Sequence, residues 1–186
     1  MAALGFMSGY NSDYFGPWDS ITRAQVAKVS TLVGGVHTAE VENVAAPVFP
    51  DVPLYRDAKG APVPYPFDFV QEAAAAGLVV GKFDDNGTLI FDPYRPITRV
   101  QLATILARMA RQFKGYPTTA TEVGLAEVSF ADVPEYAAVD VSLAAALGLM
   151  NGDGGQSFSP WSGAMRAHVA VAMTRYLDLP EAWLAE

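Results

Sequence analysis

Apolar positions recur along this chain in short helical stripes, separated by loops rich in glycine, proline and aspartate. Val26, Val29 and Val33 are spaced i, i+3, i+7, as are Leu102, Ile105 and Met109, and again Val169, Ala172 and Tyr176. That spacing gathers apolar side chains on one face of a helix. Two more stripes lie upstream of the later ones. Phe69, Ala73 and Ala76 mark a predicted helix from about Phe67 to Ala76, and Val139, Leu143 and Leu147 mark one from about Tyr136 to Leu147. Gly77 and Gly148 follow as C-terminal stops. Asp84 to Gly87 and Asn151 to Gly155 read as turns, and Tyr55 to Pro66, with Gly60, Pro62, Pro64 and Pro66, as an inserted loop.

The stripes belong to a repeat. Three copies start near Leu4, Ala76 and Leu147. Each has two glycines four residues apart: Gly5 and Gly9, Gly77 and Gly81, Gly148 and Gly152. Each then has Phe-x-Pro, at Phe15 to Pro17, Phe91 to Pro93 and Phe158 to Pro160, and six residues after the proline an arginine, Arg23, Arg99 or Arg166. Only the loop between second glycine and phenylalanine varies, and it is four residues longer in the middle copy. A Phe-x-Asp-Val-Pro box precedes the second and third copies, at Phe49 to Pro53 and Phe130 to Pro134. The first copy shows no such box, so either the chain is a fragment of a larger protein or another segment supplies its opening helix. The copies span 1–34, 47–114 and 129–179. Each reads as helix, glycine-bounded loop, helix, which predicts an all-α fold. One such unit buries too little alone, so the three should pack together, most simply with equivalent helices in a central three-helix bundle. The linkers Gly34 to Pro47 and Gly115 to Ser129 are expected along the surface.

Candidate chemistry lies at the helix starts. Thr22 with Gln25, and Thr98 with Gln101, form capping boxes. Arginine at the first helical position faces the positive end of the helix dipole, which costs roughly 0.3–1 kcal/mol. Free N–H groups at a helix start attract anions, and a guanidinium grips a carboxylate or phosphate through two bonds. Arg23, Arg99 and Arg166 therefore either bind an anion or form a structural salt bridge, with Asp51 and Asp132 as partners. Gly9, Gly81 and Gly152 either make tight turns at positive φ or let a ligand approach the backbone. Trp18 and Trp161, with Tyr94 at the same place in the middle copy and Tyr10 nearby, either pack or stack on sugar faces.

Composition narrows the partners. A formal net charge of −8 argues against a nucleic-acid binder and against electrostatic attachment to anionic lipid. Without cysteine there is neither a disulfide framework nor a thiolate metal site. His37 and His168 have no metal-ligand spacing, no cofactor motif occurs, and no nucleophile elbow, P-loop or His-Glu-x-x-His is present, so neither metal, cofactor nor catalytic residues are predicted. No apolar run is long enough to insert in a membrane. Met1 to Tyr10 lacks a basic n-region and an apolar h-region, so an export signal is expected elsewhere than on this chain.

Taken together, the Phe-x-Asp-Val box, the Gly-Leu-x-x-Gly turn, Phe-x-Pro, and Ile21-Thr-Arg-Ala-Gln25 or Ile97-Thr-Arg-Val-Gln101 resemble the S-layer homology domain. The resemblance covers nearly the whole chain. It implies a pseudo-three-fold spindle of three repeats, no enzymatic activity, and an extracellular place at a bacterial cell wall or S-layer. The implied partner is a cell-wall polysaccharide or peptidoglycan-linked polymer held in grooves between repeats, in many members one carrying a pyruvate ketal. By position, the ketal carboxylate would fall to Arg23, Arg99 and Arg166, and backbone approach to Gly9, Gly81 and Gly152. Trp18 and Trp161 are the stacking candidates. Gln25, Gln101 and His168 stand where the family has glutamate, and Met165 where it has threonine, so the third helix start is expected to be capped poorly. The alternative is a structural module of a larger surface assembly, with its grooves filled by other protein segments.

Overall fold

Each of the three arginines starts a helix, and the chain around those helices falls into two compact units, Thr22–Arg95 and Met1–Ile21 with Pro96–Glu186. The computed structural model describes residues 1, 5–38 and 46–182; Leu4 and residues 39–45 of the first linker lie outside them.

In the unit Thr22–Arg95, helix α1 (Arg23–Val33) packs against α2 (Phe67–Ala75). Val26 and Val29 are buried as the stripe predicts, and so are Ser30 and Thr31, whose hydroxyls bond back to carbonyls of their own helix. The α2 core face is Phe69, Val70 and Ala73; Ala76 lies past the helix end and is only half-buried. The inserted loop carries a short antiparallel hairpin, β1 (Tyr55–Arg56) with β2 (Pro62–Val63). The longer middle loop forms a second, β3 (Lys82–Phe83) with β4 (Leu89–Ile90), around the predicted Asp84–Gly87 turn. Asp84 closes that turn by accepting N–H bonds from Asn86 and Thr88.

The other unit is built on α3 (Arg99–Lys114), which packs against α4 (Ala138–Ala146) and α5 (Arg166–Leu177). Leu102, Ile105 and Met109 are buried, as are Val169, Ala172 and Tyr176. The stripe expected on α4 is shifted. Val139 is exposed and Leu147 half-buried, while Ala137, Val141 and Ala144 join Leu143 in the core. Every position from Ala137 to Leu147 except Asp140 and Ser142 is apolar, so spacing alone singles out no one face of this helix, which is entered through a 3-10 turn at Glu135–Ala137. The second linker does not simply run over the surface. It forms a 3-10 turn at Thr121–Val123 and buries Tyr116 and Ala120, the latter against Ala107 and Leu143.

Gly77 and Gly148 end α2 and α4 in left-handed conformation, φ 65° and 69°, as C-terminal stops should. Residues two before each arginine meet inside this second unit. Ile97 N–H donates to Ile21, Ile21 N–H to Ala164, and Ala164 N–H to Ile97, at 3.0, 3.4 and 2.9 Å. All three are buried, so equivalent positions of the three copies close one ring of backbone hydrogen bonds.

The shifted α4 face makes an asymmetric prediction. Leu143→Ala should cost about 2–5 kcal/mol of unfolding free energy, and Val139→Ala under about 0.5 kcal/mol, measured by denaturant titration. Equal losses at the two positions would contradict the observed face.

Candidate functional site

The three arginines are joined to the loops by the same set of bonds. Arg23 Nε donates to the Phe91 carbonyl at 2.7 Å and Nη2 to the Val80 carbonyl at 3.0 Å. Arg99 does the same with Phe158, 2.9 Å, and Asn151, 2.7 Å. Arg166 Nε donates to Phe15 at 2.9 Å, and its Nη2 to Ser8. Val80, Asn151 and Ser8 each stand directly before the second glycine of their copy, so one guanidinium ties together both arms of a loop. It also lies over the ring of the phenylalanine whose carbonyl it holds, 4.5, 4.8 and 4.7 Å from the centroids of Phe91, Phe158 and Phe15. Each arginine clamps a different copy from its own: the first reaches the second loop, the second the third, and the third the first.

The same loops use up the helix-start N–H groups. Arg23 and Ala24 donate to the Arg95 and Pro93 carbonyls, Arg99 and Val100 to Ser162 and Pro160, and Arg166 and Ala167 to Asp19 and Pro17. The next donors, on Gln25 and Gln101, go to the capping threonines. The unfavourable placement of a cation at the positive end of a helix is thus offset by charge-assisted bonds to carbonyls, worth roughly 1.5–3 kcal/mol each. Burial lowers the Arg23 pKa; Asp92 opposes this, Arg95 adds to it, and Asp51 opposes it.

Asp51 and Asp132 take a different part from the ion pairs expected of them. Asp51 accepts the N–H groups of Phe91 and Asp92 at 2.8 and 2.7 Å. Asp132 accepts those of Phe158 and Ser159, both at 2.8 Å, and the Ser157 hydroxyl. The Phe-x-Pro peptide is therefore held from both sides, its N–H by the box carboxylate and its carbonyl by the arginine. The middle residue pays a conformational cost: Asp92 and Ser159 have φ 61° and 54°, a left-handed conformation unfavourable by about 1–2 kcal/mol for a residue with Cβ. In the first copy, where no box carboxylate is seen among the described residues, that residue is Gly16, at φ 67°. Its neighbours are already close: a Cβ there would lie 2.6 Å from the Tyr10 ring.

The second glycines are small for a reason other than a positive φ. A Cβ on Gly81 would lie 2.6 Å from the Phe49 ring and 2.7 Å from the Ile90 carbonyl, and on Gly152 2.5 Å from both the Phe130 ring and the Ser157 carbonyl. On Gly9 it would meet the Asn11 and Tyr14 carbonyls at 2.8 Å. The aromatic residues after each Phe-x-Pro point to solvent and do not pack: Trp18 is 75% exposed, Tyr94 61% and Trp161 63%. Tyr10 is exposed as well, stacked on Tyr14 at 5.9 Å and lying under Arg166.

A family profile for the S-layer homology domain matches residues 1–27 and 129–170. The matched residues are those of the first and third copies. The domain is one of cell-surface association and cell-wall anchoring, not of catalysis. A search of curated proteins returned no match to the chain. The middle copy lies wholly outside the matched residues yet carries the same clamp.

At the start of the third arginine-led helix, His168 takes over the glutamine's half of the capping box, its Nδ1 accepting the Met165 N–H at 3.2 Å. Only the neutral ring can accept there. Burial lowers the His168 pKa, Arg99 lowers it further, and Asp153 opposes both. The expected weak cap is thus a real cap at neutral pH.

Two predictions follow from these contacts. Because the folded His168 binds protons less readily than the unfolded one, stability should fall as pH drops below about 6.5 and level off below the folded pKa. His168→Gln should remove that slope in denaturant midpoints measured between neutral and mildly acid pH; an unchanged slope would contradict the cap. The hydrogen bond from the Phe158 N–H, opposed by desolvation and reinforced by those from Ser159 and Ser157, holds the Asp132 pKa down, so its contribution is lost only at lower pH, as the carboxylate protonates. Asp132→Ala should lower the unfolding midpoint, and Ser159→Gly should return part of the loss by removing about 1 kcal/mol of left-handed strain.

Proposed function

We propose that the chain anchors a protein to the bacterial cell surface by binding a cell-wall polysaccharide, one carrying pyruvate ketals, where each arginine-started helix meets the loop of another copy. The three copies would then form the pseudo-three-fold spindle of the domain, a reading supported by the ring of Ile21, Ile97 and Ala164. The observation that carries the proposal is the set of exposed rings Trp18, Tyr94 and Trp161 at one repeated position. Each follows a proline whose carbonyl is bonded to a helix-start N–H, so each ring is displayed from a rigid backbone. An aromatic face exposed at this cost in apolar surface suits stacking on a sugar ring. In this reading the arginines contribute twice, by clamping the loops and by presenting what remains of their guanidinium charge to an acidic polymer. No helix among the described residues is long and apolar enough to cross a membrane.

The proposal is tested by sedimentation with purified sacculi that retain their secondary polymer. The wild-type chain should co-sediment, and stripping the polymer should release it. Trp18→Ala, Tyr94→Ala and Trp161→Ala combined should abolish binding while leaving the unfolding free energy within about 1 kcal/mol of wild type, since the rings are exposed. Full retention of binding by that variant would reject the stacking surface.

A further inference from the structure

The three helix starts differ in charge at equivalent positions. The residue after the second glycine is Tyr10, Lys82 or Asp153, and the residue two after the proline is Asp19, Arg95 or Ser162. The middle loop thus carries two cations where the first has a tyrosine and a carboxylate, and the third a carboxylate and a serine. This occurs in a chain with 12 Lys and Arg against 20 Asp and Glu, so cations are not placed there by abundance.

Accessibility divides the sites in the same way. Arg99 and Arg166 are 8% and 6% exposed. Arg99 Nη2 also lies 3.5 Å from Asp153, which offsets its charge. Arg23 is less deeply buried, and the two further cations beside its loop are open to solvent, the Lys82 side chain 44% and the Arg95 side chain 63% exposed. Both converge on Asp92, with Lys82 Nζ at 2.6 Å and Arg95 Nη1 at 3.8 Å. Asp51 is occupied by two backbone N–H groups, and Asp84 by the hairpin turn. Around Asp92, three cations face one carboxylate not already occupied by backbone N–H groups.

We infer that the copies divide the work: the acidic group of the polymer is held at the Arg23 start, by Lys82 and Arg95 with Arg23, while the Arg99 and Arg166 starts contact neutral sugar. This rests on the glycan-binding reading above. It makes Lys82 and Arg95 the residues that set specificity for an acidic over a neutral polymer. Two extra cations with free donors can grip a carboxylate that the clamped guanidinium, with its donors spent on carbonyls, holds weakly.

The test compares two forms of one sacculus preparation, with its ketal-bearing polymer intact and after mild-acid removal of the ketals. Lys82→Gln with Arg95→Gln should bind the intact polymer about tenfold more weakly than wild type and show a shallower loss of binding with salt. It should bind the ketal-free polymer as wild type does, with an unchanged unfolding midpoint. Asp153→Lys with Ser162→Arg should add salt-sensitive affinity for the intact polymer. Wild-type binding by the double glutamine variant, or equal loss on both polymer forms, would overturn the assignment while leaving the anchoring reading intact. A wild-type chain that binds neither form would overturn both.

Discussion

The interaction on which this structure depends is a guanidinium holding two backbone carbonyls. At each helix start an arginine sits where the helix dipole disfavours it, and the loop of another copy supplies the carbonyls that stabilise it there. The loop gains as much as the helix does. Its two arms are joined by one planar group, its phenylalanine ring is covered, and its next carbonyls cap the helix. Helix start and loop are therefore one cooperative element drawn from two copies, which explains why no copy is complete alone.

The differences among the copies follow from how each loop meets that constraint. In the second and third, a box aspartate holds the N–H side and lets Asp92 and Ser159 stay in a strained conformation. In the first, Gly16 adopts the same conformation without strain and Tyr10 packs where a Cβ would go. The third helix replaces threonine and glutamine by Met165 and His168 and keeps the backbone half of its box only while the imidazole is neutral. The same geometry is thus reached through three different sets of side chains, with different sensitivities to pH.

Much of the architecture was legible in the sequence because spacing is a backbone property. The i, i+3, i+7 stripes located α1, α3 and α5, and glycine located the ends of α2 and α4. The α4 face was misplaced because nearly every position from Ala137 to Leu147 is apolar, so several stripes fit the same residues equally well. At the helix starts, the position of each arginine was legible and its hydrogen-bond partners were not. An arginine at a repeated spacing suggests an acid, yet the acceptors are main-chain carbonyls, which have no letter in a sequence. The repeated Phe-x-Pro was the available signal: a fixed phenylalanine seven positions before the helix cap marks the peptide that both the arginine and the aspartate hold. Exposure of Trp18, Tyr94 and Trp161 was likewise hidden, since a ring beside a loop reads as packing until its neighbours are known.

The central claim is that arginine and box aspartate act on one peptide from opposite sides, so that each is worth more with the other present. A double-mutant cycle of Arg23→Ala and Asp51→Ala, read by equilibrium denaturation, measures this directly. The account predicts a coupling of about 1 kcal/mol or more, the double variant losing less than the sum of the single ones. Additivity to within about 0.3 kcal/mol would contradict it, and would mean that the two side chains stabilise the loop independently.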